Sequence, residues 1–338
     1  MSRPARRIGA LILPVVLLLS AAPSALAASA SVTGDDGNQI ALGGAVSIRH
    51  MSPEVRFAFA PDERRYSAQV LGPDGAPASS GTTCSSTASP SAERVRYRGN
   101  GAYTVVIRVT TNEEDATCAE ATEQRAAFTI DARTGIGAPD SNRLLTRRPG
   151  SLSTISYEVP VQLNPGADSH ELRFARNATL GPDGGISGTS QQAFVNSSTG
   201  LADVSFNRPG RYTLVVRAKV TTADGERATA WSSPVVVDAV APFDFSSITL
   251  PDSSGPSYKL AAVVREKSAR GRVQVSIARG RKGKRFKRLG SPRIRRGGKI
   301  SLRFRAARVG IYTVRFHFKG SKTTAGGTVK EVFRVYRF

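Results

Sequence analysis

The sequence contains Gly101-Ala102-Tyr103-Thr104, then Gly210-Arg211-Tyr212-Thr213 and then Gly310-Ile311-Tyr312-Thr313, three copies of one phrase. Each copy opens a run in which apolar and polar residues alternate, and the copies lie 109 and 100 residues apart. Alternation with a period of two is typical of strands that bury one face. Recurrence at about 100 residues predicts stacked all-β domains of that size.

A second landmark repeats at the same distance. Leu71-Gly72-Pro73-Asp74-Gly75 recurs 109 residues later as Leu180-Gly181-Pro182-Asp183-Gly184, and both sequences suit a hairpin turn. In the third repeat, Gly283 follows Asp183 by 100 residues and lies between two alternating runs. No stretch with helical periodicity competes with this pattern. We therefore predict three tandem antiparallel β-sandwiches.

The N-terminus has the features of a secretory signal peptide. Arg3, Arg6 and Arg7 precede an apolar run at 8–19, and small residues follow as far as Ala27. The run is shorter than the roughly 20 residues that span a bilayer, so a membrane anchor is disfavoured. We expect a soluble chain that is secreted or associated with the cell envelope, with no transmembrane segment after cleavage.

Domain boundaries are predicted where strands end and Gly, Pro and Ser accumulate, at 131–140 and 238–247. The predicted division is a signal peptide at 1–27 and β-sandwiches at 28–137, 138–240 and 241–338. Both linkers are short, which favours an extended rod over independent beads.

The Gly-x-Tyr-Thr phrase resembles the tyrosine corner of bacterial immunoglobulin-like sandwiches. The resemblance covers the chain after the signal peptide and implies that the hydroxyls of Tyr103, Tyr212 and Tyr312 bond to backbone upstream. Antibody-type domains place a cysteine two residues after this tyrosine, where this chain has valine or leucine. Likeness to fibronectin type III domains is therefore about as good, and neither likeness implies a particular function.

The only two cysteines, Cys84 and Cys118, lie in the first repeat. In an exported protein they are expected to form a disulfide, worth roughly 3 to 4 kcal/mol for a loop of this length. In one interpretation the disulfide only stabilises the loop. The other is that the bridge shapes a rigid binding loop, which would present these acids: Glu113, Glu114, Asp115, Glu120 and Glu123.

Catalytic and metal-binding motifs are missing from the sequence, so we predict a non-enzyme without cofactor or metal. His50, His170 and His317 fall in different repeats, and we expect solvated histidines; alternation points His317 outward. No zinc-spaced cluster, nucleophile elbow or phosphate-binding loop occurs. The segment Asp35-Asp36-Gly37-Asn38 could offer oxygens to calcium, but its spacing matches no defined calcium loop and such residues are common in turns.

Positive charge is concentrated in the last third of the chain. The net charge is +22, and 241–338 contains 25 Lys and Arg against 4 Asp and Glu, whereas 28–240 contains 20 against 22. Eleven cations crowd one 21-residue stretch and are the candidate anion-binding residues: Arg279, Arg281, Lys282, Lys284, Arg285, Lys287, Arg288, Arg293, Arg295, Arg296 and Lys299.

An anionic envelope polymer or lipid surface is the partner that these cations suggest. Phe286 is the only aromatic among them, which disfavours sequence-specific nucleic-acid recognition. Two alternatives remain open: a solvated coat that discourages aggregation, and contact with an acidic protein. Alternation points Lys299, Arg303 and Arg315 outward. The resemblance to an immunoglobulin-like sandwich implies that their strands belong to opposite sheets, so the charge should cover both faces.

Two functions follow from these patterns. In the first, a non-enzymatic exported protein is held at the cell surface by its basic third repeat, while loops of the other repeats meet a protein or glycan partner, as in adhesion. In the second, the chain is an accessory carbohydrate-binding or scaffold module serving a separate enzyme or surface assembly. Sugar sites usually need exposed aromatics, and the single Trp231 is more typical of a packing residue.

Overall fold

A computed structural model describes residues 28–137, 143–146, 155–250, 257–305 and 308–336. These residues form 25 strands and one short 3-10 turn at Arg296–Gly298, so the all-β class is confirmed. The predicted signal peptide at 1–27 lies outside the described residues. No helix in the described part of the chain is long and apolar enough to cross a membrane.

The first nine strands form the first unit. Its strands are β1 Ser29–Thr33, β2 Gln39–Ala41, β3 Ser47–Ile48, β4 Glu54–Ala58, β5 Arg65–Leu71, β6 Thr82–Ser86, β7 Glu93–Arg94, β8 Gly101–Thr110 and β9 Thr122–Ile130. They make two sheets, β2-β1-β4-β7 and β3-β9-β8-β5-β6. Alternate residues of β5 and β8 face a core that includes Tyr66, Tyr103 and Phe128.

The second unit is built on the same plan. It contains β10 Gly135–Ile136, β11 Arg143–Leu145, β12 Ser156–Gln162, β13 Ser169–Arg176, β14 Gln191–Asn196, β15 Leu201–Ser205, β16 Gly210–Thr222, β17 Gly225–Ala228 and β18 Val235–Val240. Pairing of β14 with β15 links its two layers into one sheet, β10-β12-β15-β14-β13-β16-β18-β11, with β17 on β16. Phe174, Phe206 and Tyr212 pack in its core.

The third unit has seven strands. They are β19 Phe245–Thr249, β20 Tyr258–Val264, β21 Val273–Arg279, β22 Lys287–Gly290, β23 Lys299–Phe304, β24 Gly310–Phe318 and β25 Gly327–Val335. Two antiparallel sheets, β19-β20-β23 and β22-β21-β24-β25, enclose a separate core rich in phenylalanine. Strands β23 and β24 therefore lie in opposite sheets, as the resemblance to an immunoglobulin-like sandwich implies.

Each tyrosine of the repeated phrase makes the same backbone contact. The hydroxyls of Tyr103, Tyr212 and Tyr312 donate to carbonyl oxygens four residues upstream, over 2.9, 3.0 and 2.6 Å. The preceding glycine has φ of 143°, 151° and 143° in the three copies, a region that residues with a Cβ rarely adopt. A Cβ on Gly101 would also lie 2.7 Å from Pro73, which explains why glycine opens the phrase.

Strand pairing shows where one unit ends and the next begins. Gly135 and Ile136 pair with β12, so hydrogen bonding has passed into the second unit before the predicted boundary at 137. Short strands of two residues carry no periodicity from which this could be seen. At the other boundary, Val240 pairs with β11, and Ala241 pairs with Thr324 of the third unit.

Hydrogen bonds join the first unit to the second. The Met51 N–H donates to the carbonyl of Pro165 (2.8 Å). The Arg49 guanidinium donates to the carbonyl of Leu163 (2.9 Å) and to the Oδ1 of Asn164 (3.1 Å). Because these acceptors belong to a single loop between β12 and β13, that loop is held against the first unit.

Apolar packing reinforces this junction. Strand β16 has 13 residues, against 10 in β8 and 9 in β24. Its residues Ala218 and Val220 are buried within the core cluster of the first unit. Beyond them, Asp224 lies 3.5 Å from Arg98 of the first unit. The extra length of β16 is therefore used to dock the two units.

Candidate anion-binding surface

The eleven candidate cations do not form one patch. Strand β21 leads to the loop at 280–286, and β22 returns antiparallel, with Ile277 opposite Lys287. The chain then reaches the start of β21, where Arg293 is bridged to Arg272. Arg279 lies seven positions along the extended strand from Arg272. At 3.3 Å per residue, their Cα atoms are about 23 Å apart.

The cations therefore form two groups at opposite ends of the third unit. We call the first the hairpin group: Arg279, Arg281, Lys282, Lys284, Arg285, Lys287 and Arg288. We call the second the return group: Arg293, Arg295, Arg296 and Lys299. Lys299 belongs to the return group because it pairs with Val263, at the end of β20. Arg279 pairs with Tyr312 and so lies at the other end of the unit, beside the tyrosine corner.

The hairpin loop is fixed to the sheet by a buried threonine. The hydroxyl of Thr313 lies 2.7 Å from the carbonyl oxygen of Gly280 and 2.9 Å from that of Arg281. The ring of Phe286 folds back over the sheet, with the Arg315 guanidinium 4.3 Å from its centroid. Phe286 is thus a packing residue beneath a cation, and the loop cations are the groups that face solvent.

Most cations of the third unit have no carboxylate beside them. Between its described residues one ion pair forms, from Arg265 to Asp244 (3.3 Å). Several other arginines donate to neutral oxygens, among them Arg272 to the carbonyl of Ser291 (3.0 Å) and Arg315 to the hydroxyl of Ser276 (3.2 Å). Neutral partners leave the positive charge in place, so the surface potential of this unit is strongly positive.

The unpaired charge covers both outer faces. On the sheet with β23, Lys299, Arg303 and Arg305 are exposed. On the opposite sheet, the register of β22, β21, β24 and β25 lines up Arg288, Ser276, Arg315 and Lys330 in one row across four strands. A shallow depression of about 710 Å³ borders this row at Arg315 and Lys330.

The expectation of solvated histidines is correct for His317 and wrong for the other two. His317 is exposed, and its Nδ1 lies 3.0 Å from the hydroxyl of Thr328. His170 is buried and accepts a hydrogen bond at Nε2 from the N–H of Asn164, in the loop that docks the first unit. His50 is half-buried against Gly166 of the same loop, so the junction brings together two histidines from different repeats.

The disulfide between Cys84 and Cys118 is confirmed, with its Cα atoms 5.5 Å apart. It ties β6 to the acidic loop between β8 and β9. Within that loop the Asp115 carboxylate accepts hydrogen bonds from the N–H groups of Thr117, Ala119 and Glu120. Burial works to raise the pKa of Asp115, but these bonds outweigh it and the pKa is lowered. Asp115 is thus engaged in holding the loop.

The turn considered for calcium also uses its carboxylates within the fold. Asp35 accepts the N–H of Arg49 (2.6 Å), and Asp36 accepts the N–H (3.0 Å) and the side-chain amide (2.7 Å) of Asn38. The hydrogen bonds from Asn38 lower the pKa of Asp36. The Asp74 carboxylate of the first Pro-Asp-Gly turn is likewise bound by Arg98 (2.9 Å). Each of these three carboxylates thus has partners within the fold.

A dense polar cluster that the sequence did not reveal lies on the outer face of the second unit. The Glu171 side chain is 3% exposed and pairs with Arg173, Arg217 (2.8 Å) and Lys219 (3.2 Å). Burial works to raise the pKa of Glu171, but the hydrogen bonds from its three cations outweigh it, and the pKa lies below its usual range. The Arg217 guanidinium also lies 4.4 Å from the ring centroid of Trp231.

Trp231 is consequently a packing residue. A Cβ on Gly185 would lie 2.6 Å from the Trp231 Nε1, so the ring sits against the turn at 181–185. Among the described aromatics of this unit, Phe194 is open to solvent: it is 83% exposed and lies opposite Glu171 in the register of β13 and β14. The alternation of β14, with Ala193 buried on the other face, was the signal that could have identified it.

Comparison with known proteins gives similarity only to solved structures. No family model and no curated protein matches the chain. One similar structure holds the FN1-FN3 domains of chicken CNTN1, at 12% identity, covering 85% of this chain and 95% of that one, with a TM-score of 0.23. Another is a tetra-tandem repeat in the extending region of a large adhesion protein, at 11% identity, covering 92% of each chain, with a TM-score of 0.31. The strand order and tyrosine corners of the chain itself resemble those of immunoglobulin-like and fibronectin-III-like sandwiches repeated in tandem.

Proposed function

We propose that this is an exported, non-enzymatic binding protein, held against an anionic polymer of the cell envelope by its basic third unit. The observation that carries the proposal is that, among the described residues of the third unit, only Arg265 pairs with a carboxylate, against extensive pairing in the other two units. Unpaired cations release counterions from a polyanion when they bind it, and this release drives association.

The proposal includes the organisation of the chain. After export directed by residues 1–27, the domains at 28–137, 138–240 and 241–338 each fold around their own core. The docked first and second domains present loops to a partner, and the third holds them at the surface. Each of the three groups of sheets has its own main apolar cluster, with Ala218 and Val220 of the second unit added to that of the first, which supports this division.

The two-faced distribution of charge favours a polymer over a membrane. A flat bilayer meets one face of a sandwich, so cations on the other face would stay in solution. A flexible polyanion can follow both faces and reach the hairpin group, the return group and the row that contains Arg315 and Lys330. Vesicles therefore serve as the second arm of the test.

The test measures binding of the chain from residue 28 to 338 to dextran sulfate and, separately, to phosphatidylglycerol vesicles, across a range of NaCl. The charge-reversal variant carries Arg281→Glu, Lys282→Glu, Lys284→Glu and Arg285→Glu. The matched control makes the same change in net charge at exposed arginines of the first two units, with Arg64→Glu, Arg208→Glu, Arg211→Glu and Arg227→Glu.

The expected result is dextran sulfate binding whose affinity falls steeply with salt, with a larger loss of affinity and of salt slope in the hairpin variant than in the control. Equal losses in the two variants, or no binding at low salt, would contradict the proposal. Tighter binding to vesicles than to the polymer would move it to a lipid surface.

A further inference from the structure

The final strand has a second neighbour in the first two units, whereas the final strand of the third unit lies at a sheet edge. In the first unit β3 pairs in parallel with β9, and in the second β11 pairs in parallel with β18. Both are short strands that close the sheet. In the third unit the described residues pair β25 with β24 alone, so the nine residues Gly327–Val335 form an open edge.

The route of the chain explains the difference. Ala241 makes a single parallel bridge to Thr324, just before β25 begins. The chain then turns inward, and Phe243 and Phe245 pack on Phe318 and Phe316. Correspondingly, 25 residues separate β9 from β12, but only 17 separate β18 from β20. The segment between β18 and β20 is therefore shorter than its counterpart between β9 and β12, and its Phe243 and Phe245 pack in the core.

The side chains along this edge have a defined pattern. On the outer face Lys330 and Arg334 are exposed, and between them Val332 is 43% exposed. Arg315 stands directly behind Lys330 on β24. An added strand would therefore meet two positive charges four residues apart, with an apolar position between them.

We propose that the edge of β25 binds an extended acidic peptide as an additional strand. The peptide would place an apolar residue opposite Val332 and an Asp or Glu two residues to either side of it, opposite Lys330 and Arg334. Backbone hydrogen bonds to the open edge would supply affinity, and the alternating side chains would supply selectivity. This site differs from the polyanion surface in that it requires a strand conformation.

A second copy of the chain is a poorer occupant. Antiparallel self-pairing centred on Val332 would place Lys330 against Arg334. Centring on Lys330 or on Glu331 would place that residue against its own counterpart. Like charges directly opposite each other destabilise a strand pair, and lysines on an edge discourage such contacts. The high positive charge of the third unit adds to the repulsion.

The test measures fluorescence anisotropy of a labelled nine-residue peptide of alternating Thr and Val, with two Glu residues four apart on one face and Val between them. It uses the chain from residue 28 to 338 at moderate salt. A control peptide has the same side chains but is N-methylated at alternate backbone nitrogens, on the edge that would pair, which removes hydrogen bonds and keeps charge. Hydrogen exchange of the protein is followed in parallel.

We expect the unmodified peptide to bind at least tenfold more tightly than its N-methylated form and to protect amides at 327–335. Lys330→Glu with Arg334→Glu should weaken binding about tenfold. Lys259→Glu with Arg303→Glu, on exposed positions of the opposite sheet, should change it far less. Equal binding of the two peptides, or protection elsewhere than β25, would overturn the proposal, as would self-association of the protein through β25. Polyanion binding by the hairpin group would survive any of these failures, so the two proposals are separable.

Discussion

The first two units and the third are built from similar sheets, but they differ in how far their surface charges are paired and in whether their last strand has a second neighbour. In the second unit the buried Glu171 gathers three cations, and in the first Glu123 binds Arg108 and Arg125. In the described part of the third unit only Arg265 has a carboxylate partner, Asp244, and the last strand pairs with β24 alone. The core pattern thus fixes the fold in all three units, while surface charge and sheet edges are free to acquire a separate role.

The largest expected effect is on the first unit. Replacing its disulfide, with Cys84→Ser and Cys118→Ser, should lower its free energy of unfolding by roughly 3 to 4 kcal/mol, because the unfolded chain regains the freedom of a loop whose ends are 34 residues apart. Hydrogen exchange on β8 and β9 measures this, with β24 as the internal control. Unchanged exchange in the first unit would show that the bridge is not a staple.

The next effect tests the charge cluster of the second unit. Glu171→Ala should cost about 2 kcal/mol, less than a fully buried pair, since its cations reach solvent. Urea unfolding followed by fluorescence of Trp231, the only tryptophan, measures it.

The third-unit counterpart is Asp244→Ala, which removes a partly exposed pair and should cost under about 0.5 kcal/mol. Hydrogen exchange of β19 and β20 measures it. Similar losses of stability in Glu171→Ala and Asp244→Ala would contradict the difference in charge pairing between the second and third units.

The difference in stability expected between two tyrosine-corner variants is smaller than that between Glu171→Ala and Asp244→Ala. The Tyr103 hydroxyl accepts the N–H of Arg98 (2.8 Å) and donates to the Gly99 carbonyl (2.9 Å). The Tyr312 hydroxyl donates to the carbonyl of Arg308 (2.6 Å). At about 1 kcal/mol per bond, a phenylalanine should cost about 2 kcal/mol at position 103 and about 1 kcal/mol at 312. Hydrogen exchange of β8 and β24 compares the variants Tyr103→Phe and Tyr312→Phe, and a reversed order would refute this ranking.

The last effect is the dependence of the free energy of unfolding on pH. Burial lowers the pKa of His170, and it also lowers that of His50, where Asp35 opposes and Arg94 adds to the shift. Neutral imidazoles are therefore favoured by folding, and their contribution is complete above about pH 6.5 and is lost as the pH falls toward the folded-state pKa. The loss is at most about 1.4 kcal/mol per pH unit for each proton bound.

The matched variant is His170→Gln, which can still accept the N–H of Asn164 but does not titrate. Urea unfolding at pH 7.5 and pH 5.0, followed by Trp231 fluorescence, should show a weaker acid dependence in the variant. Identical slopes in the two proteins would remove His170 as the cause.

Much of the scaffold was predictable from local pattern. The Gly-x-Tyr-Thr phrase and the alternation after it indicate the strands of each unit, because burial of one face imposes a period of two. The predicted turn at 72–75 forms, with the Gly75 N–H donating to the Gly72 carbonyl. The disulfide followed from the presence of only two cysteines.

The missed features depend on register and on partners distant in sequence. Periodicity shows that Glu171 and Arg217 face outward, but only the pairing of β13 with β16 places them opposite each other. The closing strands β3 and β11 contain two and three residues, too few for a pattern. The eleven cations looked like one cluster because spacing in sequence does not show where the chain reverses.

The closing strands also determine how tension would travel through the protein. In the first two units a strand from the beginning of the unit runs parallel to the last strand, so a pull on the two ends slides the strands along each other and loads their hydrogen bonds together. The final strand of the third unit has no such clamp among the described residues and would peel from β24 one bond at a time. Stretched between its ends, the chain should therefore yield first at its basic unit, and single-molecule pulling would record that unit opening at the lowest force.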